Sequence, residues 1–131
     1  MTTHLLDANV LIALTIREHE HHERASEWLA GAAEFAVSPV VEGALVRFLL
    51  RVGESGATAH AVLSLVRTHP RCEFWPDDLS YLTVELSDLR GHRQVTDAYL
   101  AASARHHGGL LATLDAGLVV QHPDVARLLP E

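Results

Sequence analysis

HLLDANVLIALTI, residues 4–16, combines a short strand with the start of a helix and decides the fold of this chain. Its first three residues form a mostly apolar run that ends at Asp7, a pattern typical of a buried β-strand. From Asn9 to Ile16 the apolar side chains return at helical spacing. The segment therefore predicts a strand, a turn and a helix, with Asp7 at the junction.

The same alternation continues along the chain. Strands are predicted at residues 4–6, 35–37, 72–75 and 110–113, with a weaker edge strand at 125–129. Helical patterns are predicted at residues 9–16, about 25–31, 39–49, 62–66, 79–89 and 97–106. Short strands that alternate with helices imply right-handed crossovers and a mostly parallel sheet. We therefore predict an α/β fold, a three-layer α/β/α sandwich with roughly five strands.

The length and composition indicate one domain, residues 1–131. A chain of this size buries roughly two thirds of its unfolded surface, so it should fold without disulfide bonds or other cross-links. Its lone cysteine, Cys72, has no partner for an intrachain disulfide, and no apolar run is long enough to enter a membrane. Together with the absence of a basic, apolar leader, these features predict a cytoplasmic protein with no membrane partner.

The charged residues narrow the possible functions. All ten basic residues are arginines, which excludes a P-loop lysine and a Schiff-base lysine. The net charge of -7 argues against a broad basic surface for nucleic acid. Any phosphate that this protein handles therefore requires a metal ion or a few local arginines.

Four acidic residues lie where the predicted strands end or helices begin. Asp7 and Asp115 follow strands, Glu42 lies in the first turn after the second strand, and Asp97 opens a helix. The carboxyl ends of parallel strands line one crevice, so these side chains should converge there. Neighbouring carboxylates repel one another unless their pKa values rise or a cation compensates them. Hard oxygen ligands favour Mg²⁺ or Mn²⁺, which can activate water to hydrolyse a phosphodiester.

A purely structural explanation is open for most of these acids. Aspartate is favoured at helix starts, so Asp97 and Asp115 could be caps, and Asp7 could close an Asx turn that Asn9 shares. Glu42 is harder to explain, because it lies one residue beyond the position of a capping box and among apolar neighbours. A buried carboxylate there needs a compensating partner.

Several segments together resemble the PIN-domain ribonucleases, and most closely the VapC-type toxins of bacterial type II toxin-antitoxin modules. The segments are LLDANVLIAL at residues 5–14, Glu42 before a long helix, VTDAYLA at residues 95–101, and Thr113 with Asp115. The likeness covers essentially the whole chain. It departs from the commoner family ending in residues 116–118, Ala-Gly-Leu, where an acid and an aromatic often follow the last aspartate.

The resemblance implies a metal site and partners. Mg²⁺ or Mn²⁺ would be held by Asp7 and Asp97, and Glu42 and Asp115 would complete the acidic quartet. Asn9 and Thr113 would orient these ligands by hydrogen bonds. A homodimer, a cognate antitoxin whose tail can plug the site, and an RNA substrate are also implied.

We therefore predict a metal-dependent endoribonuclease, the toxin of a toxin-antitoxin pair. Four arginines near the inferred crevice would contact RNA: Arg17, Arg47, Arg90 and Arg93. Two alternatives remain open. One is a non-catalytic, metal-stabilised protein-binding module, and the other is a metal-dependent phosphatase that acts on small phosphate esters.

Overall fold

The computed structural model describes residues 2–32 and 34–131. The strands are β1 (Thr3–Leu6), β2 (Glu34–Val37), β3 (Cys72–Phe74), β4 (Leu110–Thr113) and β5 (Ala126–Leu128). The helices are α1 (Ala8–Thr15), α2 (His22–Gly31), α3 (Pro39–Arg51), α4 (Gly56–Arg67), α5 (Gln94–His106) and α6 (Ala116–Gln121). The strand order is β3-β2-β1-β4-β5, and every neighbouring pair is parallel. The predicted α/β sandwich is confirmed, and its sheet is entirely parallel.

Strand β1 lies at the centre of the sheet and brings its neighbours into register. Leu5 pairs with Ala36 of β2 on one side and with Leu111 of β4 on the other. All three side chains are fully buried, as expected for a parallel sheet that is covered by helices. The carboxyl ends of β2, β1 and β4 therefore lie side by side. No helix among the described residues is long and apolar enough to cross a membrane.

Helix α3 begins with a cap from a distant part of the chain. Ser38 precedes the helix and Pro39 occupies its first turn, but the Ser38 side chain forms no capping hydrogen bond. Instead, the Asp77 carboxylate accepts a hydrogen bond from the Val40 N–H at 2.9 Å. This contact ties the segment after β3 to the start of α3, and it satisfies one of the free N–H groups of the first turn.

The predicted helix at residues 79–89 is wrong. The segment from 75 to 93, the 75–93 loop, contains only a 3-10 turn at Tyr81–Thr83. Local side chains compete for its backbone, since Glu85 accepts hydrogen bonds from both the N–H and the hydroxyl of Ser87. The backbone N–H and C=O of Leu79 both bond to the Tyr99 hydroxyl. The leucine spacing resembled a helix, but these contacts stabilise an irregular path.

Helix α5 begins earlier than predicted, at Gln94 instead of Asp97. Arg93 precedes the helix without a side-chain capping bond, and the Gln94 Oε1 accepts a hydrogen bond from the Arg90 N–H at 2.6 Å. Thr96 therefore lies inside the helix. Asp97 remains in the first turn, and the capping explanation for its carboxylate does not apply.

The other end of α5 is fixed by charged partners. Arg105 donates from Nε and Nη2 to the two carboxylate oxygens of Asp124, at 2.7 and 2.9 Å. The same Nη2 lies 3.2 Å from Nδ1 of His122, which is buried. This ion pair attaches the end of α5 to the turn between α6 and β5.

Candidate active site

Asp7 is buried at the carboxyl end of β1, and both of its oxygens are held. Its side chain is the N-cap of α1, since Oδ1 accepts a hydrogen bond from the Ala8 N–H at 2.7 Å. Oδ2 accepts a second bond from the Thr113 hydroxyl at 2.8 Å. Capping therefore explains one oxygen of Asp7, whereas the other is aimed at the end of the neighbouring strand β4.

Asn9 and Thr113 form a hydrogen-bonded bridge between the start of α1 and the end of β4. The Thr113 Oγ1 accepts from the Asp115 N–H at 3.0 Å and lies 3.5 Å from the Asn9 Nδ2. The Asn9 Oδ1 accepts from the Leu114 N–H at 3.1 Å. Both side chains therefore lie beside Asp7 or the segment that carries Asp115, and their supporting role stays a prediction. Leu114 was not singled out from the sequence, because only its backbone takes part.

Three of the predicted acids act on one another. Burial, followed by the negative charges of Asp7 and Asp115, raises the pKa of Asp97 to about 6. Burial is the largest influence on Asp7 and raises its pKa. The hydrogen bonds from Thr113 and Ala8 oppose this shift, and the charge of Asp115 adds to it. Asp7, Asp97 and Asp115 are called the acidic trio below.

Asp115, the third member of this group, is exposed and also has a structural role. It is the N-cap of α6, with Oδ1 accepting from the Gly117 N–H at 2.9 Å. The alternative explanation, that Asp115 caps a helix, is therefore confirmed. Its Oδ2 takes no part in this cap and is available to solvent or to a ligand.

The charge of the acidic trio is not compensated within the described part of the chain. No ion pair found there includes any of the three carboxylates. The described residues also contain no group of three or more His, Cys, Asp or Glu side chains that is arranged to hold a metal ion. The donors at the trio are all oxygens, and a site of this kind suits a hard cation that keeps several of its waters.

Glu42 is paired with an arginine and is not among the groups that shift the pKa values of Asp7 and Asp97, so its place in the acidic quartet stays a prediction. Its Oε2 is 3.2 Å from Nη1 of Arg67 on α4, and its side chain is only 15% exposed. The Arg67 guanidinium also lies over the Phe74 ring, 4.3 Å from its centroid. Val41 faces the core, so the next residue on the helix turns sideways toward α4. The compensating partner expected for Glu42 is an arginine of the chain.

The four arginines predicted to contact RNA are all exposed. Arg90 and Arg93 lie directly before α5, close in sequence to Asp97. Arg17 follows α1, which carries the chain roughly 12 Å away from Asp7 at 1.5 Å per residue. The side chain of Arg47 on α3 folds back toward Gly43, where an added Cβ would lie 3.5 Å from its Nη1.

Comparison with known proteins identifies the family. The model of the PIN domain matches residues 4–121. The chain is 57% identical over 129 residues to Ribonuclease VapC29 of Mycobacterium tuberculosis, covering 98% of this chain and 97% of that protein. It is 39% identical to Ribonuclease VapC44 of the same species, covering 88% of each. The chain belongs to the PIN domain family, and its sequence relatives place it among the VapC members.

Solved structures agree with this fold. VapC20 of Mycobacterium tuberculosis, described as a Sarcin-Ricin loop cleaving toxin, superposes with a TM-score of 0.73 at 18% identity, covering 96% of this chain and 98% of that one. A chain of VapBC2 from Rickettsia felis, bound to a DNA fragment from its promoter, gives a TM-score of 0.69 at 16% identity, covering 98% of this chain and 99% of that one.

Proposed function

We propose that this protein is a divalent-metal-dependent endoribonuclease, the toxin of a toxin-antitoxin pair. The relationship to curated proteins named ribonucleases, over nearly the whole of both chains, supports the reaction class. The observation that carries the mechanism is the uncompensated acidic trio, in which Asp7 and Asp115 raise the pKa of Asp97 and Asp115 raises the pKa of Asp7. Groups with strongly perturbed pKa values at the carboxyl edge of a parallel sheet are typical of functional sites.

The trio fits Mg²⁺ or Mn²⁺ by the chemistry of its donors. Asp7 and Asp97 would hold the ion, with Asp115 beside them. A cation bound there would lower the pKa of a coordinated water and attract the phosphodiester. Glu42, the fourth predicted member, would have to leave Arg67 before it could take part. Whether one or two ions bind depends on which carboxylates remain ionised.

The residues around the trio position the reacting groups. Thr113 holds the Oδ2 of Asp7 and, by accepting from the Asp115 N–H, fixes the backbone from which that acid projects. Asn9 attaches the same segment to α1 through Leu114. The Oδ2 of Asp115 would accept a hydrogen bond from the attacking water and orient it toward the phosphorus. Little reorganisation is then needed when RNA binds.

Arginines would bind the RNA backbone. Arg93 and Arg90 are the strongest candidates, because they immediately precede the helix that carries Asp97. Arg47 and Arg17 would contact more distant phosphates. With a net charge of -7, the protein attracts RNA only where such side chains are grouped.

The proposed setting is a bacterial cytoplasm with a cognate antitoxin and a homodimeric toxin. The structural neighbours VapBC2 of Rickettsia felis and FitAB were both solved bound to DNA fragments. A basic antitoxin tail would be attracted to the acidic trio, which explains how it could block the site.

The decisive experiment is cleavage of a mixed RNA pool in Mg²⁺, in Mn²⁺ and in EDTA. We compare the wild type with Asp97→Asn and use Asp124→Asn as the matched control. Cation-dependent cleavage that is lost in Asp97→Asn and kept in the control supports the proposal. Metal binding without turnover would indicate a binding module, and turnover of a chromogenic phosphate ester without RNA cleavage would indicate a phosphatase.

A further inference from the structure

One arginine outside the predicted set is held at the carboxyl end of a strand. Arg67 is the last residue of α4, and its guanidinium lies over the ring of Phe74, 4.3 Å from the ring centroid. Phe74 is the last residue of β3 and pairs with Val37 of β2. The contact with Phe74 therefore fixes the Arg67 head group at the end of the edge strand.

The register of the sheet relates this strand end to Asp7. In the register of β1 and β2, Leu6 lies beside Val37, which in turn pairs with Phe74. Neighbouring strands are about 4.8 Å apart, so the Cα of Phe74 lies roughly 10 Å from that of Leu6, the residue directly before Asp7. A strand of RNA at the acidic trio covers this distance within a few nucleotides, and so it can also reach Arg67.

Glu42 holds the same guanidinium. Its Oε2 lies 3.2 Å from Nη1 of Arg67. The Glu42 N–H donates to the Ser38 C=O at 2.9 Å, which places Glu42 one helical turn beyond the end of β2. An arginine that is already held by a carboxylate and by a ring loses less conformational freedom when it binds a ligand. The two contacts therefore prepare Arg67 for binding.

Most of the hydrogen-bonding capacity of Arg67 is unused. Within the described residues, the bond to Glu42 is the only hydrogen bond of its side chain, which is 40% exposed. Its Nε and Nη2 form the edge of the guanidinium that matches two oxygens of a phosphate. Arg105 uses this same edge on Asp124, and Arg24 uses it on two backbone carbonyls near the C-terminus. In Arg67 the edge is left for a ligand.

The charge at Arg67 favours a phosphate, although Glu42 compensates part of it. A phosphate on the Nε–Nη2 edge would contact the cation directly, whereas the Glu42 carboxylate bonds to the other nitrogen, Nη1, and would lie farther away. Coulomb energies decrease with distance, so the attraction to Arg67 is larger than the repulsion by Glu42. In a chain with a net charge of -7, RNA can be bound only through such local contacts.

We propose that the Nε–Nη2 edge of Arg67 binds a phosphate that flanks the cleaved one, while Glu42 and Phe74 hold the guanidinium in place. This inference rests on the proposed ribonuclease function and adds to it a substrate-binding residue. It also gives Glu42 a positioning role that needs no contact with the metal ion. A phosphate contact does not read the base, so Arg67 would fix the position of the strand and not its sequence.

The test measures RNA binding in Mg²⁺ in the Asp97→Asn background, which should not cleave its substrate. The probe is a fluorescein-labelled single-stranded RNA from the cleaved pool, and its Kd is measured by anisotropy over a range of NaCl concentrations. Arg67→Gln should weaken binding by about 5- to 50-fold and lower the slope of log Kd against log salt by about 0.7, the value for one phosphate of a single strand. Arg67→Lys should restore the slope but only part of the affinity.

Two further variants separate a phosphate contact from net charge and from stability. Arg51→Gln, at the far end of α3, removes the same charge as Arg67→Gln and should leave the slope unchanged. Arg67→Gln combined with Glu42→Gln keeps the net charge and leaves no acid without its partner, and it should still have the lower slope. Equal slopes for Arg67→Gln and Arg51→Gln, on an RNA that the wild type cleaves, would overturn the proposal for Arg67 alone. If the wild type cleaves no RNA, the proposed function is overturned as well.

Discussion

The two ends of helix α5 both carry charged side chains, but they differ in how the charge is compensated. At its C-terminal end Arg105 bonds to Asp124 through two hydrogen bonds, which lowers the pKa of Asp124. At its N-terminal end Asp97 faces two other carboxylates, and its pKa rises to about 6. The charge at the first end is compensated within the chain, whereas the carboxylates at the second have no ion-pair partner among the described residues. This difference distinguishes a structural ion pair from a candidate catalytic site.

Glu42 extends the same comparison, because it is a partly buried acid that forms an ion pair with Arg67. Asp7→Asn keeps an oxygen for the Ala8 cap and removes the charge, so we expect RNA cleavage to fall by more than about 100-fold. Glu42→Gln should stay within a few-fold of wild type. Initial rates at saturating Mg²⁺ measure both, and an equal loss in Glu42→Gln would return this residue to the site.

Thr113 tests whether the trio needs its hydrogen-bonded support. Thr113→Val preserves shape but removes the bond to Asp7 Oδ2 and the acceptor for the Asp115 N–H. Apparent Mg²⁺ affinity, measured by titrating cleavage activity, should weaken by roughly 10- to 100-fold. Thr68→Val, at the exposed end of α4, is the control and should behave as wild type. An unchanged Mg²⁺ dependence would remove Thr113 from the site.

Removal of one carboxylate should affect stability in opposite directions at the two ends of α5. In EDTA at pH 7.5, Asp97→Asn should be more stable than wild type by about 1–2 kcal/mol, because like-charge repulsion and burial disfavour the ionised group. Asp124→Asn should be less stable by about 0.5–1 kcal/mol, the usual value of an exposed pair. Denaturant unfolding measures both. A destabilised Asp97→Asn would mean that the trio is compensated within the protein.

The smallest effect is expected from His122, beside Arg105. Burial and the Arg105 charge lower the pKa of His122 below 6.5, so the folded state binds its proton less readily than the unfolded state. Its contribution to stability is complete above pH 6.5 and decreases as the pH falls below that value. Between pH 7.5 and 5.5, His122→Asn should lose less stability than wild type, by under about 1 kcal/mol. His60→Asn, on the exposed face of α4, should show the wild-type slope.

The sequence was sufficient where a pattern is local. The apolar run before Asp7 and the helical spacing after it predicted β1 and α1 correctly, and the edge strand β5 followed from a short apolar segment. The leucine spacing at residues 79–89 failed, because hydrogen bonds from Tyr99 and Glu85 compete with a helix. Tyr99 is distant in sequence from Leu79, so this contact leaves no local signal.

The sequence by itself determined that the chain has no lysine and that its strands and helices alternate, as in a parallel α/β fold. It also placed acidic residues where strands end, and so carboxylates at one edge of the sheet. Only the tertiary structure decided which carboxylates share that edge. Asp7, Asp97 and Asp115 act on one another there, whereas Glu42 turns to Arg67. Charges interact through space, and the direction of a side chain on a helix depends on which face packs against the sheet. Neither property can be obtained from residue type and spacing alone.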